Sequence, residues 1–166
     1  MPKTRAKASD AIALLKGDHE RVEQAFRQFE KLDRHDTDAC RRLALQVCEE
    51  LKVHTAVEED FFYPALRDVL DDEEILNEAA VEHETASMLI EQLENMDADD
   101  PNYHATFTVL GEYVRHHIRE EETEIFAHAR KSDIDLEALG TRMRARREEL
   151  AGVAQRRDHG HERRAH

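Results

Sequence analysis

The sequence has no tryptophan, two cysteines, three prolines and five glycines in 166 residues, and only 5% of it is aromatic. Each scarcity excludes something. So few glycines, prolines and aromatics, beside abundant alanine, leucine, glutamate and arginine, rule against many short strands and predict an all-α chain. Cys40 and Cys48 lie eight apart, a spacing that fits neither a redox pair nor a zinc clip, so they are expected as small packed residues in a reducing compartment. No stretch approaches the ~18 apolar residues needed to cross a bilayer, and the N-terminus MPKTRAKAS lacks an apolar leader segment. No membrane partner and a cytoplasmic location are expected.

What is present is charge, unevenly spread. The formal net charge is −14, yet residues 1–9 carry +3 and residues 141–166 carry +4, which leaves −21 on residues 10–140. So acidic a body repels phosphates, so nucleic acid is not an expected partner and the arginine-rich end reads as a solvated helix face with a frayed tail. The length suits one domain. The expected division is a disordered basic N-terminus over 1–8, a helical bundle over 9–131, and a short helix, about 135–151, with a disordered tail over 132–166.

Four segments carry apolar residues at alternating steps of three and four, the mark of a helix burying one stripe. The first places Ile12, Leu15, His19, Val22, Phe26 and Phe29 inward; the second Cys40, Ala44, Val47, Leu51, His54, Glu58, Phe61 and Ala65. The third places Leu76, Ala79, His83, Ala86, Ile90 and Leu93 inward; the fourth Tyr103, Phe107, Leu110, Val114, His117 and Glu121, then Ile125 and His128. Short acidic joints near residues 33–38, 70–72 and 97–101 predict an antiparallel, up-down-up-down four-helix bundle with one short additional C-terminal helix.

Every stripe is interrupted by a polar residue. Counting from the turns at ~1.5 Å per residue sets His19 level with His54, and His83 level with both His117 and Glu58. A single histidine in such a stripe is usually a hydrogen-bonded core residue; six polar groups at one depth are different. Four imidazoles and two carboxylates in an apolar core cost several kcal/mol for each unpaired ion, and a metal cation offsets that cost. His54 with Glu58, and His117 with Glu121, are i, i+4 pairs that aim one nitrogen and one oxygen from the same face. Nitrogen and oxygen donors without thiolate suit iron or manganese better than zinc. The metal ligands expected are therefore His19, His54, Glu58, His83, His117 and Glu121.

The chain also repeats itself. Asp18-His19-Glu20 recurs as Glu82-His83-Glu84 at an offset of 64, and His54, Glu58, Glu59, Tyr63 and Arg67 recur as His117, Glu121, Glu122, Phe126 and Arg130 at 63. Two like hairpins predict two metals about a pseudo-twofold axis, with Glu58 and Glu121 bridging them. Glu59, Glu122, His116 and Glu120 point about a quarter-turn away and are expected to be solvated or to orient the imidazoles, with Glu59 and Glu122 as alternate ligands. Tyr63, which precedes Pro64, is expected to pack in the core near a kink, with a phenol reaching the site as the lesser alternative, and His128 to be buried with a hydrogen bond rather than to line an entry path or orient a ligand. His159, His161 and His166 are expected to bind nothing.

At His54-Thr-Ala-Val-Glu58-Glu59 and His117-Ile-Arg-Glu-Glu121-Glu122 the chain resembles the hemerythrin family, specifically its HHE-type cation-binding domains, over about residues 9–131. The resemblance implies a non-heme di-iron centre (Fe2+/Fe3+) that meets dioxygen, nitric oxide or peroxide. Oxygen-carrying members have a second histidine one turn from the third-helix ligand, where this chain has Ala79 and Ser87, so simple oxygen carriage is not expected. The implied function is binding, sensing or scavenging of iron, dioxygen or nitric oxide, with an enzyme that decomposes peroxide or reduces nitric oxide as the alternative.

Overall fold

A computed structural model describes residues 10–162, with side chains from 10 to 157. The order is α1 (Ala11–Lys31), α2 (Thr37–Val57), a π-helical turn (Glu58–Phe62), α3 (Tyr63–Arg67), α4 (Glu74–Asn95), α5 (Tyr103–Glu120), a second π turn (Glu121–Ile125), α6 (Phe126–Lys131) and α7 (Leu136–Glu162). Since α2 runs through its π turn into α3, and α5 through the other into α6, these make four antiparallel rods, with α7 packed against α1 and α2. Side-chain carboxylates start several helices by accepting orphan N–H groups: Asp10 from Ala13 (2.8 Å), Asp36 from Ala39 (3.1 Å) and Asp135 from Ala138 (3.0 Å). The repeated arginines tie each hairpin's end to the start of the other hairpin. Arg67 reaches Asn77 at 3.1 Å and Arg130 reaches Asp10 at 2.7 Å.

The expected stripes are buried from α1 to the ligands of α2 and α5, and they form two separate apolar clusters. One holds Val22, Phe26, Phe29, Leu51, Leu93 and Phe107; the other Ile12, Leu15, Phe62, Leu66, Leu76 and Phe126. Both thiols are free and fully buried, and burial, with the charge of Glu94 behind it, pushes Cys48 up to about 12. They are core residues.

Beyond the ligands the stripes depart from the expected register. Phe61 and Ala65 are only partly buried, whereas Phe62, Tyr63 and Leu66 are fully inside; His128 is exposed, and Ala129 takes the inward place. The cause is the π turn, which inserts one residue and shifts every later position by one. Each turn opens on a glutamate, and the N–H of Tyr63 and of Phe126 donates five residues back, to the carbonyls of Glu58 and Glu121. Pro64 does not cause it, because the second turn forms with Ala127 in the matching place.

The closing helix is also longer than expected, 27 residues to Glu162. Its basic face is not simply solvated. Arg142 lies over the Phe61 ring at 5.1 Å, Arg146 reaches Asp60 at 3.3 Å, and Arg147 pairs with Asp18. These pairs add to the burial of Leu139 and Met143 in holding α7 on the bundle. The expected disordered segment 1–8, and His166, lie outside the described residues, as do the side chains of His159 and His161.

Candidate metal centre

All six expected residues meet in one layer between the two apolar clusters, each buried to 8% exposure or less. The level counting holds in space: the His19 and His54 rings lie 5.0 Å apart and those of His83 and His117 4.7 Å apart. Each glutamate then links its own helix to the other hairpin. Glu58 lies 2.9 Å from His54 Nε2 through Oε1 and 3.0 Å from His83 Nε2 through Oε2. Glu121 lies 3.1 Å from His19 Nε2 through Oε1 and 3.4 Å from His117 Nε2 through Oε2.

Two groups of donors result. His19, His54, Glu58 and Glu121 converge on one point, and Glu58, His83 and His117 on another, so Glu58 belongs to both. His19 Nε2, both oxygens of Glu58 and Glu121 Oε1 are buried without a hydrogen bond, although the ion-pair distances above are short. Buried polar atoms without hydrogen bonds are costly, and four of them spread over the two donor groups fit cations held there.

Behind each imidazole stands a carboxylate. Asp18 faces His54 Nδ1 at 2.8 Å, Glu82 faces His117 Nδ1 at 3.0 Å, Glu59 faces His83 Nδ1 at 3.2 Å, and Glu122 faces His19 Nδ1 at 3.1 Å. A proton on Nδ1 donated to that oxygen leaves the Nε2 lone pair pointing inward. Glu59 and Glu122 therefore orient the imidazoles, one of the two places expected for them, and neither belongs to a donor group. Asp18 and Glu82 were missed because each sits one residue before an expected ligand, about 100° round its helix; the offset of 64 that relates them was the available signal. His116 pairs with Glu120 at 3.1 Å on the exposed surface.

Tyr63 takes the lesser of its two expected places, with its phenol in the site. Its hydroxyl donates to Glu121 Oε2, and its ring stacks on His83 with centroids 5.5 Å apart. In an α-helix the fifth residue after Glu58 would face about 140° away; the π turn brings it back over the site. In the other half Phe126 stacks on His19 at 5.8 Å without a hydroxyl. Burial, then the charges of Glu58 and Glu121, holds the Tyr63 phenol well above its ordinary range, so it keeps its proton. A cavity of about 40 Å³, lined by Leu51, Ala86, Ser87, Ile90 and Val114, adjoins all four histidines. Ala79, one turn before His83, is packed in the same cluster as Tyr63.

The electrostatics tie metal to protons. Burial opposes a charge on His54 and His117, but Glu58 and Asp18 around the first, and Glu121 and Glu82 around the second, outweigh it and raise both, His117 to about 10. Burial likewise opposes the charge on Glu58, and His54 and His83 overcome it, holding Glu58 well below the usual carboxylate range. Without metal, both imidazoles are protonated at neutral pH; a metal needs them neutral and must displace those protons. Metal binding is therefore expected to release protons and weaken as pH falls. Titrating metal into weakly buffered protein with an indicator dye checks this, and no acidification would contradict it.

No curated protein sequence matches the chain. The crystal structure of a hemerythrin HHE cation binding domain-containing protein from Mycobacterium kansasii is similar in fold, with a TM-score of 0.76 at 24% identity, covering 89% of this chain and 90% of that one. Among described residues no helix is long and apolar enough to cross a membrane. The profile of the Hemerythrin HHE cation binding domain matches residues 10–129, which span the four rods and all six buried donors, and the chain belongs to that family.

Proposed function

We propose that this protein is a non-heme di-iron binding protein that binds, senses or scavenges dioxygen, nitric oxide or iron itself, with Fe2+/Fe3+ favoured over manganese or zinc. The observation that carries the reading is Glu58, fully buried and shared by both donor groups, as a carboxylate bridging two ions would be. One tetrahedral zinc would take four donors and leave the rest uncompensated, whereas six nitrogen and oxygen donors suit a pair of irons. Both free thiols agree with a reducing cytoplasm.

A pair of irons supplies one-electron chemistry and a place for a small ligand; the chain supplies the rest. Glu58 and Glu121 neutralise charge, four carboxylates hold the imidazole N–H groups, and the two apolar clusters exclude bulk water. The cavity admits a molecule of a few heavy atoms, which fits dioxygen, nitric oxide or peroxide. Among the described residues three donors, Glu58, His83 and His117, meet on one side, and Ala79 and Ser87 add none.

One observation favours the alternative, a peroxide- or nitric-oxide-processing enzyme: Tyr63 keeps a proton beside Glu121, where turnover needs a donor. Stopped-flow mixing of the iron-loaded, reduced protein with dioxygen and with peroxide separates the two. A stable, reversible adduct is expected; repeated turnover would replace the binding reading with the enzymatic one.

A further inference from the structure

The inward stripe of α7 runs Leu139, Met143, Arg147 and Leu150, in steps of four and three, with Met143 fully buried. An arginine on that stripe parallels the histidines that interrupt the other four. Its side chain is 26% exposed, and its guanidinium donates through Nη2 to Asp18 Oδ2, the same oxygen that faces His54 Nδ1 at 2.8 Å. Asp18 Oδ1 accepts from Arg21, so a carboxylate only 7% exposed is held from both sides.

Among the described residues, the other half of the site shows no such pair with α7. Glu82, the repeat partner of Asp18, faces His117 in the same way but meets His116, at 3.9 Å, where Asp18 meets Arg147. The pseudo-twofold symmetry of the donors is thus broken one layer out, by a helix that lies outside the repeat.

We propose that Arg147 is a positioning residue for His54, acting through Asp18, so that docking of α7 sets how firmly one of two otherwise matched metal positions is held. This rests on the di-metal reading above. Asp18 has a short side chain and two possible acceptor oxygens; with Arg147 pulling on Oδ2, its carboxylate stays turned toward His54, whose Nε2 stays turned toward Glu58. Loss of such a partner behind a ligand typically weakens metal binding ~10- to 100-fold. The consequence falls on the His19 and His54 position, not on that of His83 and His117.

The test is chelator-driven metal release from the full-length, iron-loaded protein, in Arg147→Ala, Arg147→Lys and Arg146→Ala beside wild type. Arg146→Ala is the control, because it removes an α7 contact, to Asp60, without touching Asp18. In Arg147→Ala one of the two irons is expected to leave ~10-fold faster while the other keeps its rate. Arg147→Lys restores the rate, since a single N–H reaching a single oxygen can be replaced by an ammonium. Arg146→Ala behaves as wild type. Wild-type rates for both irons in Arg147→Ala, or equal acceleration of both irons in the Arg146 and Arg147 variants, would overturn the proposal. Wild type that takes up fewer than two irons would instead overturn the di-metal reading on which it rests.

Discussion

Glu58→Ala is expected to abolish metal binding at both positions and to lower the thermal midpoint of the metal-loaded protein by roughly 10 °C. Glu58 is fully buried, it appears in both donor groups, and each of its oxygens faces a different histidine, at 2.9 and 3.0 Å. Truncation removes the shared donor and leaves two imidazole nitrogens pointing at an uncharged gap. Metal that binds only the folded chain contributes about 3 kcal/mol once its concentration passes ~100 times its dissociation constant. For a chain of this size that contribution corresponds to the midpoint shift given. Elemental analysis with calorimetry checks both parts; unchanged metal content would reject Glu58 as a ligand. Glu59→Ala is a useful companion, since Glu59 touches only the outer nitrogen of His83 and half its side chain is exposed.

Phe107→Ala is expected to cost about 3–5 kcal/mol of stability while leaving the metal content of the folded protein unchanged. Phe107 is 1% exposed and packs its ring on Phe26 at 5.1 Å and on Phe29 at 4.1 Å, joining α5 to α1. The contact is tight: a Cβ on Gly111, one turn further, would lie 3.2 Å from the Phe26 ring, so a larger residue there requires the ring to give by a few tenths of an ångström. A cavity at this place cannot readily collapse, which puts the cost high in the range for aromatic truncations. Denaturant unfolding with metal analysis measures it. A loss under about 1 kcal/mol, or loss of metal from folded protein, would contradict the separation of core from site.

Together these variants divide the molecule into what makes the bundle and what makes the site, and the two were unequally legible. The bundle was readable wherever α-helical period holds: from Ile12 to Phe29 and from Tyr103 to Glu121 every expected inward residue is buried. Polar residues at matched depths also declared themselves, because His19, His54, His83 and His117 stand out against apolar neighbours. What escaped is what breaks the period. The π turns begin on the glutamates, so a reading in steps of three and four sends Phe61 and His128 inward and favours plain core packing for Tyr63. No single-residue preference announces that insertion; only the identical break after His54 and after His117, visible in both repeats, connects it to the ligands.

The orienting carboxylates and α7 were hidden for a different reason. Asp18 and Glu82 lie off the inward stripe of their own helices and act on a histidine of the neighbouring rod, which only tertiary geometry reveals. The arginines of α7 look like a solvated run in sequence because their partners Phe61, Asp60 and Asp18 lie 81 to 129 residues away. An acidic body and a basic C-terminal segment in one chain were the clue, and attraction between them within the molecule is the outcome.

The central claim is that two metals sit between the hairpins, sharing Glu58. Elemental analysis of the purified wild-type chain before and after anaerobic reconstitution with ferrous iron tests it most directly. About two irons per chain are expected after reconstitution, whereas fewer than one, unaffected by added iron, would contradict a shared two-metal site.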